Sequence, residues 1–234
     1  MDLALFSAEG GQFLLRWFHF LAGITWIGLL YYFNFVQVPF LGQAGTEGGR
    51  PFVTRFLAPR ALWWFRWGAM GTFLTGLLLM GWLMGTKGMA SSWGWTIQLG
   101  GLLGTIMFLN VWLIIWPKQK IVIASAESVA GGGAADPAAA PAGARAFLAS
   151  RTNTLLSIPM LFNMAAASHL AVVPAGKSPV IGLAVVLAIV AAIEGNALMG
   201  KRNEGPAKML EKPVVVIHVG LVLAVVFYLL LALL

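Results

Sequence analysis

The chain shows no sustained alternation of apolar and polar positions. Instead, continuous apolar runs recur at 13–38, 62–84, 95–116, 153–173, 179–199 and 213–234, each closed by Pro, Gly or a charge. Runs of about 20 residues match a hydrocarbon core of about 30 Å when wound as helices. They predict six transmembrane helices, and so an all-α polytopic bundle forming a single integral-membrane domain over residues 1–234. A transmembrane barrel is excluded, because its strands alternate in segments of about ten residues. The N-terminal stretch has acidic Asp2 and Glu9 and no basic region before the first run, so the first helix is expected to be retained rather than cleaved. Residues 125–146, rich in Gly, Ala and Pro, are expected to form a flexible linker. Gly100-x-x-x-Gly104 and Gly81-x-x-x-Gly85 offer notches for close helix approach.

Composition narrows this further. Of 234 residues, 59% are hydrophobic and 10% charged, whereas a soluble domain carries about 25% charged residues. The bilayer is therefore the first expected partner. A formal charge of +7 does not form a nucleic-acid patch, because the 15 Lys and Arg are spread over short loops. Twelve of them lie on one side: Arg50, Arg55, Arg60 and Arg66; Lys118, Lys120, Arg145 and Arg151; Lys201, Arg202, Lys208 and Lys212. Lys and Arg stay on the untranslocated side, so both termini are expected outside, in the periplasm if the membrane is the bacterial inner membrane. The linker is then cytoplasmic. With no cysteine, disulfides, thiolate metal sites, iron–sulfur clusters and haem attached through C-x-x-C-H are all excluded.

Ionisable side chains at bilayer depth are costly and need a partner or a purpose. Here they are Arg16, His19, Arg66, His169, Glu194 and His218. By helical rise, His19 is expected roughly 9 Å and His169 roughly 6 Å below the outer ends of their helices. His218 lies toward the inner side. Two neutral imidazoles at matched depth suit a haem iron held from both faces. They equally suit packing, or proton and substrate handling. The haem reading adds Arg16 one turn above His19 for a propionate, Gly23 as a notch and Trp26 as an aromatic wall, with small residues Ala165 to Ser168 before His169. Arg66 among Trp63, Trp64 and Trp67 reads as a snorkelling arginine in an aromatic belt. Glu194 with Asn196, near His218 and Asn110, forms a second inner polar cluster or simply a helix end.

Four segments then carry a family resemblance: LLRWFHFLAGITWIGLLYYFNFVQVPFL, APRALWWFRWGAMGTFLTGLLL, MFLNVWLIIWPKQK and RTNTLLSIPMLFNMAAASHL. In order and spacing, over residues 13–173, they resemble the integral-membrane N-terminal domain of the bacterial urate oxidase of the PuuD type. The pattern from His19 through Trp26 and Gly28 to Tyr31 is similar to the first helix of the haem-binding HemJ-type protoporphyrinogen oxidase. The resemblance implies an oxidoreductase membrane unit passing electrons to a c-type cytochrome, which in that family is a domain following the membrane part. No C-x-x-C-H occurs in this chain.

Three functions compete. The leading expectation is a haem b electron-transfer subunit, with iron held by His19 and His169, serving a separate c-type cytochrome or other redox subunit at the periplasmic face. The second is a urate or purine oxidase in its own right, whose planar anion would use Arg16, Asn34, Gln37 and Asn163. The third is a non-catalytic assembly subunit, in which ten tryptophans and many glycines serve helix contacts, including those of a homo-oligomer.

Overall fold

The structure is a computed structural model that describes residues 3–45 and 47–234. The expectation about Asp2 falls outside these residues. Six long helices follow in order: α1 (Ala8–Ala44), α2 (Gly49–Lys87), α3 (Ser92–Ala130), α4 (Ala139–His169), α5 (Val180–Met199) and α6 (Pro213–Leu233). A short 3₁₀ turn, Ala4–Phe6, precedes α1 and another, Gly205–Glu211, lies between α5 and α6. The described residues contain no strand, and the all-α membrane bundle holds.

Five helices, all but α4, are long and apolar enough to cross a membrane. The exception has a physical reason. Helix α4 packs on α1, α3, α5 and α6 and buries Arg151 to Ser157 almost completely. A helix sheathed by other helices meets little lipid, so it can carry polar residues that its neighbours cannot. It is the axis of the bundle.

Helices α1, α2 and α3 have 37, 39 and 39 residues, so each is about 55–60 Å long, nearly twice the hydrocarbon core. They run past the predicted spans at the end where 131–138 and 200–212 gather. There Arg145 Nη1 donates to the Ala197 carbonyl at 2.6 Å. At the opposite end the Val173 amide donates to Ser92 Oγ at 3.0 Å. One end is thus the more basic, as the loop charges predict. Reporter fusions at Gly132 and Gly176 should accordingly report opposite sides of the membrane; a common side would overturn this topology.

The expectation of a flexible linker at 125–146 is corrected. Helix α3 continues to Ala130 and α4 starts at Ala139, because alanine has the highest helix propensity and the two ends pack on each other. Only 131–138 connects them, held by Asp136 N to Ser125 Oγ at 2.9 Å and Ser128 Oγ to Ala134 O at 3.0 Å. The fourth span also ends early. Leu170 is extended, and Pro174 biases the residue before it away from helix, so α4 stops at His169 rather than 173.

Of the glycines in the expected pairs, Gly100 packs on α4, with Asn163 Cβ 3.4 Å from an added Cβ, and the tighter approaches lie elsewhere. Neither Gly81, Gly85 nor Gly104 has a heavy atom within 4 Å of an added Cβ, whereas one at Gly68 would meet the Trp26 amide nitrogen at 3.0 Å. The interface of α1 with α2 runs along Gly68, Gly71, Thr72, Thr75 and Gly76.

Three wide π-helical turns interrupt the long helices: Tyr32–Gln37, Val53–Leu57 and Asn110–Ile115. Each is followed within two residues by a proline, Pro39, Pro59 or Pro117. A proline ring clashes with the carbonyl four residues back, here Phe35, Arg55 and Leu113, and all three lie inside the wide turn. The turn opens the backbone where the ring needs room.

Candidate functional site

The α1 face formed by His19, Gly23 and Trp26 lies on α2. His19 is partly buried, with Nδ1 at 3.0 Å from Thr75 Oγ1. Thr75 has one hydroxyl proton, directed to the Gly71 carbonyl at 2.7 Å. With that proton on the carbonyl, the tautomer that fits is the one in which Nδ1 donates to Thr75 Oγ1 and Nε2 carries no proton. Gly76 makes room for the ring, since a Cβ there would come within 3.2 Å of His19 Cε1. Gly23 faces Thr72, whose side-chain atoms would lie 3.9 Å from its added Cβ. Trp26 is buried with Nε1 unpaired.

One turn above His19, Arg16 is exposed and donates to Gln12 Oε1 at 3.2 Å. It lines a cleft of about 340 Å³ with Glu9, Gln12, Trp82 and Lys87. His169 closes α4, exposed and without a hydrogen bond. It stands at the helix end rather than one turn inside it.

The two histidines do not touch, but one contact relates their levels. Tyr31 Oη and Ser157 Oγ are 2.9 Å apart, joining antiparallel α1 and α4. His19 lies 12 residues before Tyr31 (31 − 19) and His169 lies 12 residues after Ser157 (169 − 157). Both are therefore roughly 18 Å from that bond along their helices. Among the described residues no three His, Asp or Glu side chains converge. His218 is apart from both, exposed and bonded by Nδ1 to the Val214 carbonyl of its own helix at 2.7 Å.

A second polar layer occupies the basic half. Asn34, set in the first wide turn, donates to the Leu30 carbonyl and to Ser150 Oγ, both at 2.8 Å. Asn110, in the third, donates to Asn153 Oδ1 at 2.9 Å and Glu194 Oε2 at 3.1 Å. Asn153 Nδ2 donates to the Met107 carbonyl at 2.9 Å, and because that carbonyl only accepts, the orientation of both amides follows. The relay presents one N–H to the carboxylate. Glu194 and Asn110 thus meet as expected, without Asn196 or His218. Asn163 bonds the Pro159 carbonyl at 2.8 Å, Gln37 Oε1 is buried without a partner, and Arg66 stacks on Trp116 with 3.8 Å from guanidinium carbon to ring centre.

Sequence reading missed Thr75 and Arg151. The signal for Thr75 was the small-residue face of α2. For Arg151 it was the four-residue polar run Arg151 to Asn153 and Thr154 beside an apolar span, which only an enclosed helix can carry.

The family model for the urate oxidase N-terminal domain matches residues 82–229. No curated protein and no solved structure matches the chain. The matched range takes in α3 to α6, with His169 and the Asn110–Asn153–Glu194 relay, and begins after His19. It spans well over half the sequence, so the chain belongs to the urate oxidase N-terminal family.

Proposed function

We propose that this member of the urate oxidase N-terminal family is a membrane oxidoreductase unit that binds haem b through His19 and His169 and passes electrons to a separate c-type cytochrome at the less basic face. The observation that carries this reading is the contact of His19 Nδ1 with Thr75 Oγ1 at 3.0 Å. An imidazole ligand characteristically donates its second ring N–H to a fixed acceptor, which orients the ring and raises its basicity. Thr75 Oγ1, whose own proton can go to the Gly71 carbonyl, suits that role for Nδ1, and Nε2 would then bind the iron.

Further support comes from the matched level of His169 and from its unbonded ring. The cleft of Arg16 and Lys87 suits propionates. Haem would supply a one-electron couple. The chain's own part is to orient two imidazoles and place positive charge beside the carboxylates.

An absorption spectrum of the detergent-purified protein tests the proposal. A reduced-minus-oxidised difference of six-coordinate b-type haem is expected after expression with adequate haem supply. A protein that stays colourless and takes up no added haemin would overturn it.

The family match favours a second reading, urate or purine oxidation by this chain itself. Of the four residues expected to hold the anion, Arg16 lies at one end of α1 and Asn34 and Gln37 toward the other. The first reading therefore has the stronger geometry.

A further inference from the structure

Among the described residues, Arg151 is a fully buried guanidinium with no ion pair. It is 1% exposed, and its Nε and Nη1 atoms have no acceptor. That leaves three N–H groups unanswered. Its visible neighbour is Phe147, one turn toward the basic end, with 5.1 Å from guanidinium carbon to ring centre. Arg202 lies over the same ring at 3.9 Å. The carboxylate that could neutralise Arg151, Glu211, is held in a two-pronged pair by Arg202, at 2.9 Å from Nε and 2.9 Å from Nη2. The Gly205–Glu211 turn packs against α4 at this place.

An arginine keeps its charge in any environment, and a buried charge without a counter-charge is strongly unfavourable. The surroundings select the sign and class of what completes it. Lys201, Arg202, Lys208 and Lys212 crowd one short segment against Glu204 and Glu211. Basic pockets between helices on the cytoplasmic side are suited to phosphate head groups of anionic lipids, and guanidinium donors match phosphate oxygens.

We propose that the basic end of the bundle contains a phosphate-binding site built on Arg151, entered beneath the Gly205–Glu211 turn and rimmed by Arg202. Its ligand is the phosphate of an anionic phospholipid or a free phosphate, two sources of one chemistry. The site is independent of the haem reading, since Arg151 lies in the basic half of α4, 18 residues before His169 (169 − 151).

The test is the unfolding midpoint of the delipidated full chain in detergent, with inorganic phosphate, with phosphatidylglycerol micelles, and with phosphatidylcholine micelles and sodium chloride at matched ionic strength as controls. A rise of about 2–4 °C is expected from phosphate or phosphatidylglycerol, and none from the controls. A rise with phosphate alone assigns a soluble anion, and a rise with phosphatidylglycerol alone assigns the lipid.

Arg151→Met should abolish the rise. Arg202→Gln, an exposed change that frees Glu211 to compete for Arg151, should reduce it and stands as the second variant if Arg151→Met does not fold. No rise in the wild-type protein, an equal rise with either control, or a wild-type response in either variant overturns the site.

Discussion

Replacing His19 with alanine should remove bound haem, and replacing His169 should do the same, while His218→Ala should leave the pigment intact. In the tautomer that donates from Nδ1 to Thr75 Oγ1, His19 offers an unprotonated Nε2, and His169 is level with it across the bundle. His218 lies near the start of α6 at the basic end of the bundle, away from the level of the other two. Thr75→Val keeps the ligand but removes its acceptor, and losses of this kind weaken binding by about 10-fold to 100-fold. Haem content per protein and the difference spectrum read all four variants. Equal pigment in the three histidine variants would sink the assignment, and loss in His218→Ala alone would move the iron to the basic half.

The second large effect is structural. Pro159 has no N–H to give the Leu155 carbonyl four residues back, and that carbonyl faces Gly220 of α6. A Cβ at Gly220 would stand 3.0 Å from Leu155 O and 2.6 Å from Ile158 Cδ1. The isoleucine tip can turn away, but the backbone oxygen cannot. Gly220→Val should therefore push α6 off the axial helix at about 1–3 kcal/mol, the usual cost of overpacking, or roughly 2–12 °C in the unfolding midpoint. Gly104→Val, where nothing lies within 4 Å of the added atom, is the matched control and should shift the midpoint little. Equal shifts would show that the α4–α6 contact yields.

The comparison of these two glycines also shows what a sequence discloses. Spans were legible because lipid imposes length and apolarity one segment at a time, and each of the six runs corresponds to a long helix. Helix contacts were not, since they depend on which faces meet. Gly81 and Gly100 look alike in sequence, but only Gly100 has neighbours, Asn163 and Met164, at 3.4 Å from an added Cβ. The alanines of 125–146 were read for low side-chain content, although the same residues favour helix. At the sites, Asn110 and Glu194 were recognisable as polar groups at one depth. Arg151 was not, because its burial comes from Gly205–Glu211 folding back from more than fifty residues away.

The wide turn at Asn110–Ile115 has a consequence for how the chain tolerates insertion and deletion. A π-helical turn holds one residue more than the α-helical turn it replaces, so deleting one residue within 110–115 could restore regular winding before Pro117. Because the wide turn absorbs that residue, the side chains on either side of it would keep their relative register, whereas the same deletion in the regular part of α3 would rotate them by about 100°. Asn110, which stands within the turn that tightens, would lose its aim at Asn153 and Glu194, while the distal part of α3 kept its register against α4. A single-codon deletion here is thus expected to separate two properties that point substitutions leave joined: the aim of the carboxylate's hydrogen-bond donor, and the docking of the helical hairpin that extends from the basic end.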